Sequence, residues 1–151
     1  MFYGEFEHTL DPKGRLIIPS KFRSGIMQSA TEKLFITRGL DGCLFVFTAQ
    51  EWAIQEKRFR QMSFTHQQTR QFNRLFFSGA YDVYCDKQGR ILLPQSLKTY
   101  AKIQDKVMVV GVSNRFEIWS QDTWKTYVND AVGSFEEIAE QLFVDNKDTE
   151  Q

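Results

Sequence analysis

Two stretches of this chain carry the same charged residues at the same spacing: Asp11-Pro12-Lys13-Gly14-Arg15-Leu16-Ile17-Ile18-Pro19 and Asp86-Lys87-Gln88-Gly89-Arg90-Ile91-Leu92-Leu93-Pro94. Each reads Asp-x-x-Gly-Arg, three apolar residues, then proline. Asp at the head of such a turn accepts backbone N–H bonds, and Gly supplies the backbone freedom. Asp11, Gly14, Asp86 and Gly89 are therefore assigned to turn formation. Arg15 and Arg90 have two uses open to them. Each closes on its Asp across the turn, or reaches outward, where the guanidinium fork grips a phosphate or the O6 and N7 of guanine. Lys13 stands beside Arg15, whereas Gln88 takes that position in the second copy. The two turns need not grip a partner equally, and the first is expected to be the stronger. Lys21 and Arg23, just after Pro19, add candidate phosphate contacts at a helix start. The candidate DNA-contacting set is thus Arg15, Lys13, Arg90, Arg23, Lys21 and Gln88.

Other chemistry finds little support. The two histidines, His8 and His66, have no metal-ligand spacing, and Val83 replaces His8 in the second copy. There is no nucleophile elbow, phosphate-binding loop or dinucleotide fingerprint. Active sites need asymmetry, while the distinctive residues here come in duplicate. No catalytic residue, metal or cofactor is expected. Cys43 and Cys85 occupy non-equivalent positions and read as reduced thiols of a cytosolic protein. A second basic group, Lys57, Arg58, Arg60, Arg70 and Arg74, reads as a solvated or inter-subunit helix face.

The elements that must position the turns repeat as well. At an offset of 75, Phe2, Gly4, Phe6, His8 and Leu10 align with Phe77, Gly79, Tyr81, Val83 and Cys85. Their alternation predicts a half-buried strand in each copy. Leu40–Trp52 resembles Val112–Trp124 at an offset of 72, which implies three extra residues in the first copy, around Ser29–Lys33. In the first copy, residues 2–10 are expected to pair through the Asp11–Gly14 turn with 15–18. A helix follows at about 20–29, with Phe22, Ile26 and Ala30 on one face. Strands at 34–39 and 43–47 flank the hairpin pair Asp41-Gly42, and a helix covers Gln50–Arg60 with Trp52 inward. The second copy predicts a helix at 95–103, strands at 107–112 and 116–119, and a helix capped by Asp122. A joining helix spans Gln68–Phe76. The fold class is α+β, β-dominant, divided into a first repeat (2–60), a joining segment (61–76), a second repeat (77–129) and an acidic helix and tail (130–151). Copies of about 55 residues bury little surface alone, so they are expected to share a core.

The formal charge is zero, but it is unevenly spread. Residues 1–129 hold 18 Lys and Arg against 12 Asp and Glu, and residues 130–151 hold one Lys against seven acidic residues. The duplicated body is basic, and a basic face, not total charge, drives phosphate binding. Phe135, Ile138, Ala139, Leu142 and Phe143 form an amphipathic stripe, so Ser134–Phe143 is expected to be a helix docking on the body or a neighbouring subunit. Asp145–Gln151 reads as free. Neither a signal peptide nor a membrane span is expected, which points to a cytoplasmic protein; the DNA-contacting set adds the expectation of nucleoid association and of no small-molecule substrate.

The doubled turn resembles the AbrB-like swapped-hairpin domain. Two copies in a chain of this length, with "MFYGEFEHTLDPKGRLIIP", "LFFSGAYDVYCDKQGRILLP", "VVGVSNRFEIWSQDTW" and Trp124, resemble the MraZ family of bacterial transcriptional regulators. That resemblance implies a pseudo-twofold β-barrel of two interlocked repeats with peripheral helices, ring-shaped homo-oligomers, and binding to direct DNA repeats upstream of a promoter of the division and cell-wall gene cluster. It places the family's Asp-x-x-x-Arg positions on Asp11/Arg15 and Asp86/Arg90. The alternative is a protein-interaction module of the antitoxin type, since AbrB-like folds also serve as scaffolds without DNA.

Overall fold

The structure is a computed structural model that describes residues 1–27 and 33–149. In chain order the elements are β1 (Glu5–Thr9), β2 (Arg15–Ile17), α1 (Ser20–Met27), β3 (Lys33–Arg38), β4 (Leu44–Thr48), α2 (Ala49–Arg60) and α3 (Gln67–Ser78). Then come β5 (Tyr81–Tyr84), β6 (Arg90–Leu92), α4 (Gln95–Tyr100), β7 (Lys106–Gly111), β8 (Phe116–Ser120), α5 (Gln121–Val132) and α6 (Phe135–Thr149). The chain divides into two compact units, Met1–Gln121 and Asp122–Gln151. The first is mixed α+β. It holds a six-stranded antiparallel sheet, ordered β1-β7-β8-β4-β3-β5, and a separate two-stranded ladder of β2 and β6.

The pairing corrects the sequence expectation. Residues 2–10 do not form a hairpin with 15–18. Instead β1 lies on β7 of the other half, with Phe6 opposite Val109, and β5 lies on β3, with Val83 opposite Leu34. β2 pairs with β6, its own equivalent, so that Leu16 faces Ile91 between the pairs Arg15–Leu92 and Ile17–Arg90. β4 and β8 are equivalent strands too, and Phe45 faces Glu117, the same position at an offset of 72. Both ladders therefore carry an internal twofold relation. The exchange has a physical reason. A hairpin confined to one half would leave about 55 residues to bury their own apolar surface, which is too few for a stable core. Exchange puts both halves around one.

That core joins Leu16, Ile18, Phe22 and Ile26 of the first half to Ile91, Leu93, Leu97 and Ile103 of the second, over the sheet positions Leu34, Ile36, Leu44, Val46, Val107, Val109, Phe116 and Ile118. The sheet residues are alternate positions on their strands, as one buried face requires. The shared core expected from copy size is present. Phe22 is its aromatic hub, with ring centroids 5.2 Å from Phe2, 5.4 Å from Phe6 and 5.3 Å from Phe116. Elsewhere Trp52 of α2 stacks between Phe35 (5.0 Å) and Phe76 of α3 (5.5 Å), and Thr48 caps α2 by accepting the Glu51 N–H. The Asp41-Gly42 turn is as predicted, with positive φ at both residues, 64° and 81°.

Three further differences have local causes. α3 runs to Ser78, so Phe77, expected to open a strand, is helical, and β5 starts only at Tyr81. Phe72, Phe76 and Phe77 recur at helical spacing and pack on Phe59, which outweighs the alternation suggested by the repeat. α6 continues past Phe143 to Thr149 instead of ending in a free tail, because no Gly or Pro follows Gly133 to break it. With three-residue strands at β2 and β6, helical residues outnumber strand residues among those described, against the expected β dominance. Asp122 lies within the first turn of α5 and is not its cap. The end of the helix expected over 20–29, Ala30, and all but Lys33 of the expected insertion lie outside the described residues.

Candidate functional site

The two Asp-x-x-Gly-Arg turns have the same internal bonding. In the first, the Gly14 N–H donates to the Asp11 carbonyl (2.9 Å), and Gly14 takes the positive φ of 79°. Asp11 Oδ1 accepts from the backbone N–H groups of Lys13 and Arg15, both at 2.9 Å, while Oδ2 accepts from Arg15 Nε at 2.6 Å. In the second, the Gly89 N–H donates to Asp86 (3.0 Å), Asp86 Oδ1 accepts from the Gln88 and Arg90 N–H groups (2.9 Å each), and Oδ2 accepts from Arg90 Nε (2.9 Å). Asp and Gly thus build the turn as expected. The two uses left open for Arg prove compatible: Nε is spent on the Asp, and no hydrogen bond engages the Nη groups of Arg15 or Arg90 among the described residues.

Strand exchange then brings the turns together. The carbonyl of Gly89 accepts from the Ile18 N–H (2.9 Å), and that of Gly14 accepts from the Leu93 N–H (3.1 Å), so each turn closes on the other half's strand. On the β2–β6 ladder, Leu16 and Ile91 turn into the core while Arg15, Ile17, Arg90 and Leu92 share the opposite face. Arg15 and Arg90 are diagonal neighbours, a separation of about 7–8 Å between such positions. Asp11 sits between them, with Arg90 Nη1 4.0 Å from Asp11 Oδ2. Ile17 and Leu92 stay 48% and 57% exposed, so the face is half guanidinium and half aliphatic.

The remaining candidates fall differently from the order of the sequence. Lys13, Gln88 and Lys21 are exposed. Arg23 does not serve the first turn, as its place in the chain suggests. It lies against the second, where a Cβ on Gly89 would come within 2.6 Å of Arg23 Cδ and Nη1. Two residues escaped the sequence reading. Lys87 is exposed at the second tip, so that turn shifts its lysine by one position instead of lacking one. Lys98 of α4 leans on the first turn, its Nζ 3.1 Å from where a Cβ on Gly14 would lie. A comparison of the copies would have found Lys98, since it matches Arg23 at an offset of 75. Of the second basic group, Arg60 pairs with Glu56 and Arg70 donates to the carbonyls of Phe64 and Thr65, which occupies both within their own segments.

The turn carboxylates titrate low. The Arg15 backbone N–H above all, then the Arg15 side chain and the Lys13 N–H, hold Asp11 below the ordinary aspartate range despite some desolvation. Asp86 is held low in the same way by the Arg90 N–H, the Arg90 side chain and the Gln88 N–H. A depressed carboxyl contributes stability above its free pKa and loses it as pH falls through the folded value. The turns are therefore intact at neutral pH and loosen below about pH 4, the free value of Asp. In an NMR titration, the Arg15 and Arg90 amide protons should shift together with a midpoint below that value. A midpoint at or above it would contradict this bonding.

A family model described as "MraZ protein, putative antitoxin-like" matches the chain twice, over residues 1–75 and 76–146. The chain belongs to the MraZ family. Proteins named transcriptional regulator MraZ from Carboxydothermus hydrogenoformans, Natranaerobius thermophilus and Ligilactobacillus salivarius are each 49% identical to it over 142 residues, 94% of this chain and 96% of theirs. In this MraZ-family chain the border between the two matches falls inside α3, the helix that joins the halves. These relatives are named as transcriptional regulators. Among the described residues, no helix is long and apolar enough to cross a membrane.

Proposed function

We propose that this chain is a sequence-specific DNA-binding transcriptional regulator, acting as a ring-shaped homo-oligomer on repeated promoter boxes of the division and cell-wall gene cluster. The observation that carries the reading is the outer face of the β2–β6 ribbon. A two-stranded ribbon fits the DNA major groove, and an Arg whose Nε is tied down offers its two Nη groups as a preset fork for guanine O6 and N7. Arg15 and Arg90 are both in that state. Lys13, Lys21 and Arg23 supply charge for phosphates, and Gln88 is a neutral contact at the second tip. The exchanged strands support reading the halves as AbrB-like swapped hairpins closing a β-barrel. One subunit offers a small basic surface, and a ring of subunits repeats it. Tethering then raises avidity by factors on the order of 10² or more, which suits a target of repeated boxes. Such a protein works in the cytoplasm at the nucleoid.

Selection of bound sequences from random DNA by the purified full chain tests the reading. A recurring box is the expected result. Affinity for it should fall steeply with salt, the logarithmic slope steepening by about 0.9 for each phosphate neutralised. No enrichment, or a flat salt response, would overturn it. The second reading, a protein-interaction module, draws on the exposed Ile17 and Leu92 between the arginines and on the antitoxin-like family description. Size-exclusion elution with and without the selected duplex separates the two, since only the first has the oligomer co-migrating with DNA.

A further inference from the structure

Each Arg–Asp pair of the two turns is electrically balanced. Arg15 is matched by Asp11 and Arg90 by Asp86, with Asp11 also 4.0 Å from Arg90. The quartet can therefore read hydrogen-bonding edges but draws little on phosphate charge. Net attraction must come from cations that no carboxylate neutralises. Two such cations stand at equivalent places, each supplied to a turn by the opposite half. Arg23 of α1 lies on Gly89, and Lys98 of α4 lies on Gly14. Neither forms an ion pair among the described residues, and Arg23 Nε is buried without a hydrogen-bond partner. Glycine at both turns meets two needs at once. It accommodates the positive φ of 79°, and its missing side chain lets the cation approach the backbone.

We propose that Lys98 is a DNA-backbone contact, and that each turn with the opposite half's cation forms a phosphate seat: Lys13, Arg15 and Lys98 at one, Arg23, Lys87 and Arg90 at the other. The arginine of each seat reads bases and the borrowed cation holds the phosphate. The inference rests on the DNA-binding reading and adds to it a residue and a division of labour. It also gives Arg23, a sequence neighbour of the first turn, to the second seat.

The test uses the full chain and two duplexes, the box recovered by selection and a mixed-sequence duplex of equal length. A single phosphate contact with a salt slope of about 0.9 is worth roughly eightfold in affinity near 0.1 M salt. For each seat engaged, Lys98→Ala should weaken binding to both duplexes by about that factor and flatten the salt slope by about 1. Lys98→Arg should restore both, and Lys98→Gln, which keeps most of the stem, should behave as Lys98→Ala, which separates charge from packing. Arg15→Ala should instead lose the preference for the selected box. If Arg15→Ala loses that preference while Lys98→Ala and Lys98→Gln keep wild-type affinity and slope, the seat is overturned and DNA binding stands. If the unmodified chain retains neither duplex, the DNA reading falls, and the seat with it.

Discussion

On the proposed function, Arg15→Ala should abolish sequence-specific retardation of DNA while leaving the elution size of the protein unchanged. A good bidentate contact is worth about 1–3 kcal/mol of discrimination, or roughly 5- to 150-fold for one turn. In an assembly that engages several boxes at once, the losses multiply across subunits, and specific binding drops below the non-specific level. The turn itself should survive. Asp11 keeps the backbone N–H groups of Lys13 and Arg15, and Arg90 stands 4.0 Å away to balance its charge. Gel retardation and size-exclusion elution of the same preparation check both halves of the statement. Unchanged retardation would remove Arg15 from the interface. Loss of retardation together with loss of the oligomer would make it an assembly residue instead.

Phe22→Ala should cost about 3–5 kcal/mol of folding stability, the usual range for removing a buried aromatic side chain. Phe22 is 2% exposed and touches the rings of Phe2, Phe6 and Phe116. Those partners come from the N-terminus, β1 and β8, so the vacated space is walled by three separate elements and cannot collapse by moving one. Domains of this size are stable by about 5–15 kcal/mol in all, so this single change removes a large share. The melting temperature should fall on the order of 10–20 °C by circular dichroism, at a few degrees per kcal/mol. A fall of only a few degrees would mean that Phe22 is not the hub of the core.

Most of the elements were legible in the sequence, and most of their partners were not. Alternation marked β1, and Asp41-Gly42 named its own turn and the strands β3 and β4 on either side, because these signals are local; the repeat then carried the reading to β7 and β8. The choice of partner is not local. Asp11–Gly14 looks like a hairpin turn, and consecutive strands usually do pair. Yet the turn only redirects the chain, and whether Leu16 meets β1 or Ile91 depends on which arrangement buries both halves. The three residues of β2 carry too little pattern to decide it. Phe77 shows the opposite failure, where trust in the repeat overrode a helical spacing of aromatics. The site divided in the same way. Asp11, Arg15, Asp86 and Arg90 could be read as turns because each bond spans four residues or fewer. Lys98 was missed because its neighbour Gly14 lies in the other half, and only its match to Arg23 across the copies points to it. The same holds for Arg23, read only as a phosphate contact at a helix start: the turn it lies against, at Gly89, is in the other half.

The exchange of strands also sets a timetable for synthesis. β1 leaves the ribosome early, but its partner β7 begins at Lys106, and β2 waits for β6 at Arg90. At about 5–20 residues per second, the N-terminal strands spend several seconds as open edges with no mate in their own chain. During that interval a neighbouring nascent copy on the same message can offer the missing strand, since its sequence is identical. Pairings of such long separation also slow folding, because loop closure precedes any gain from contact. The geometry that unites the halves in the finished molecule is thus what leaves the half-made one most open to joining the wrong chain.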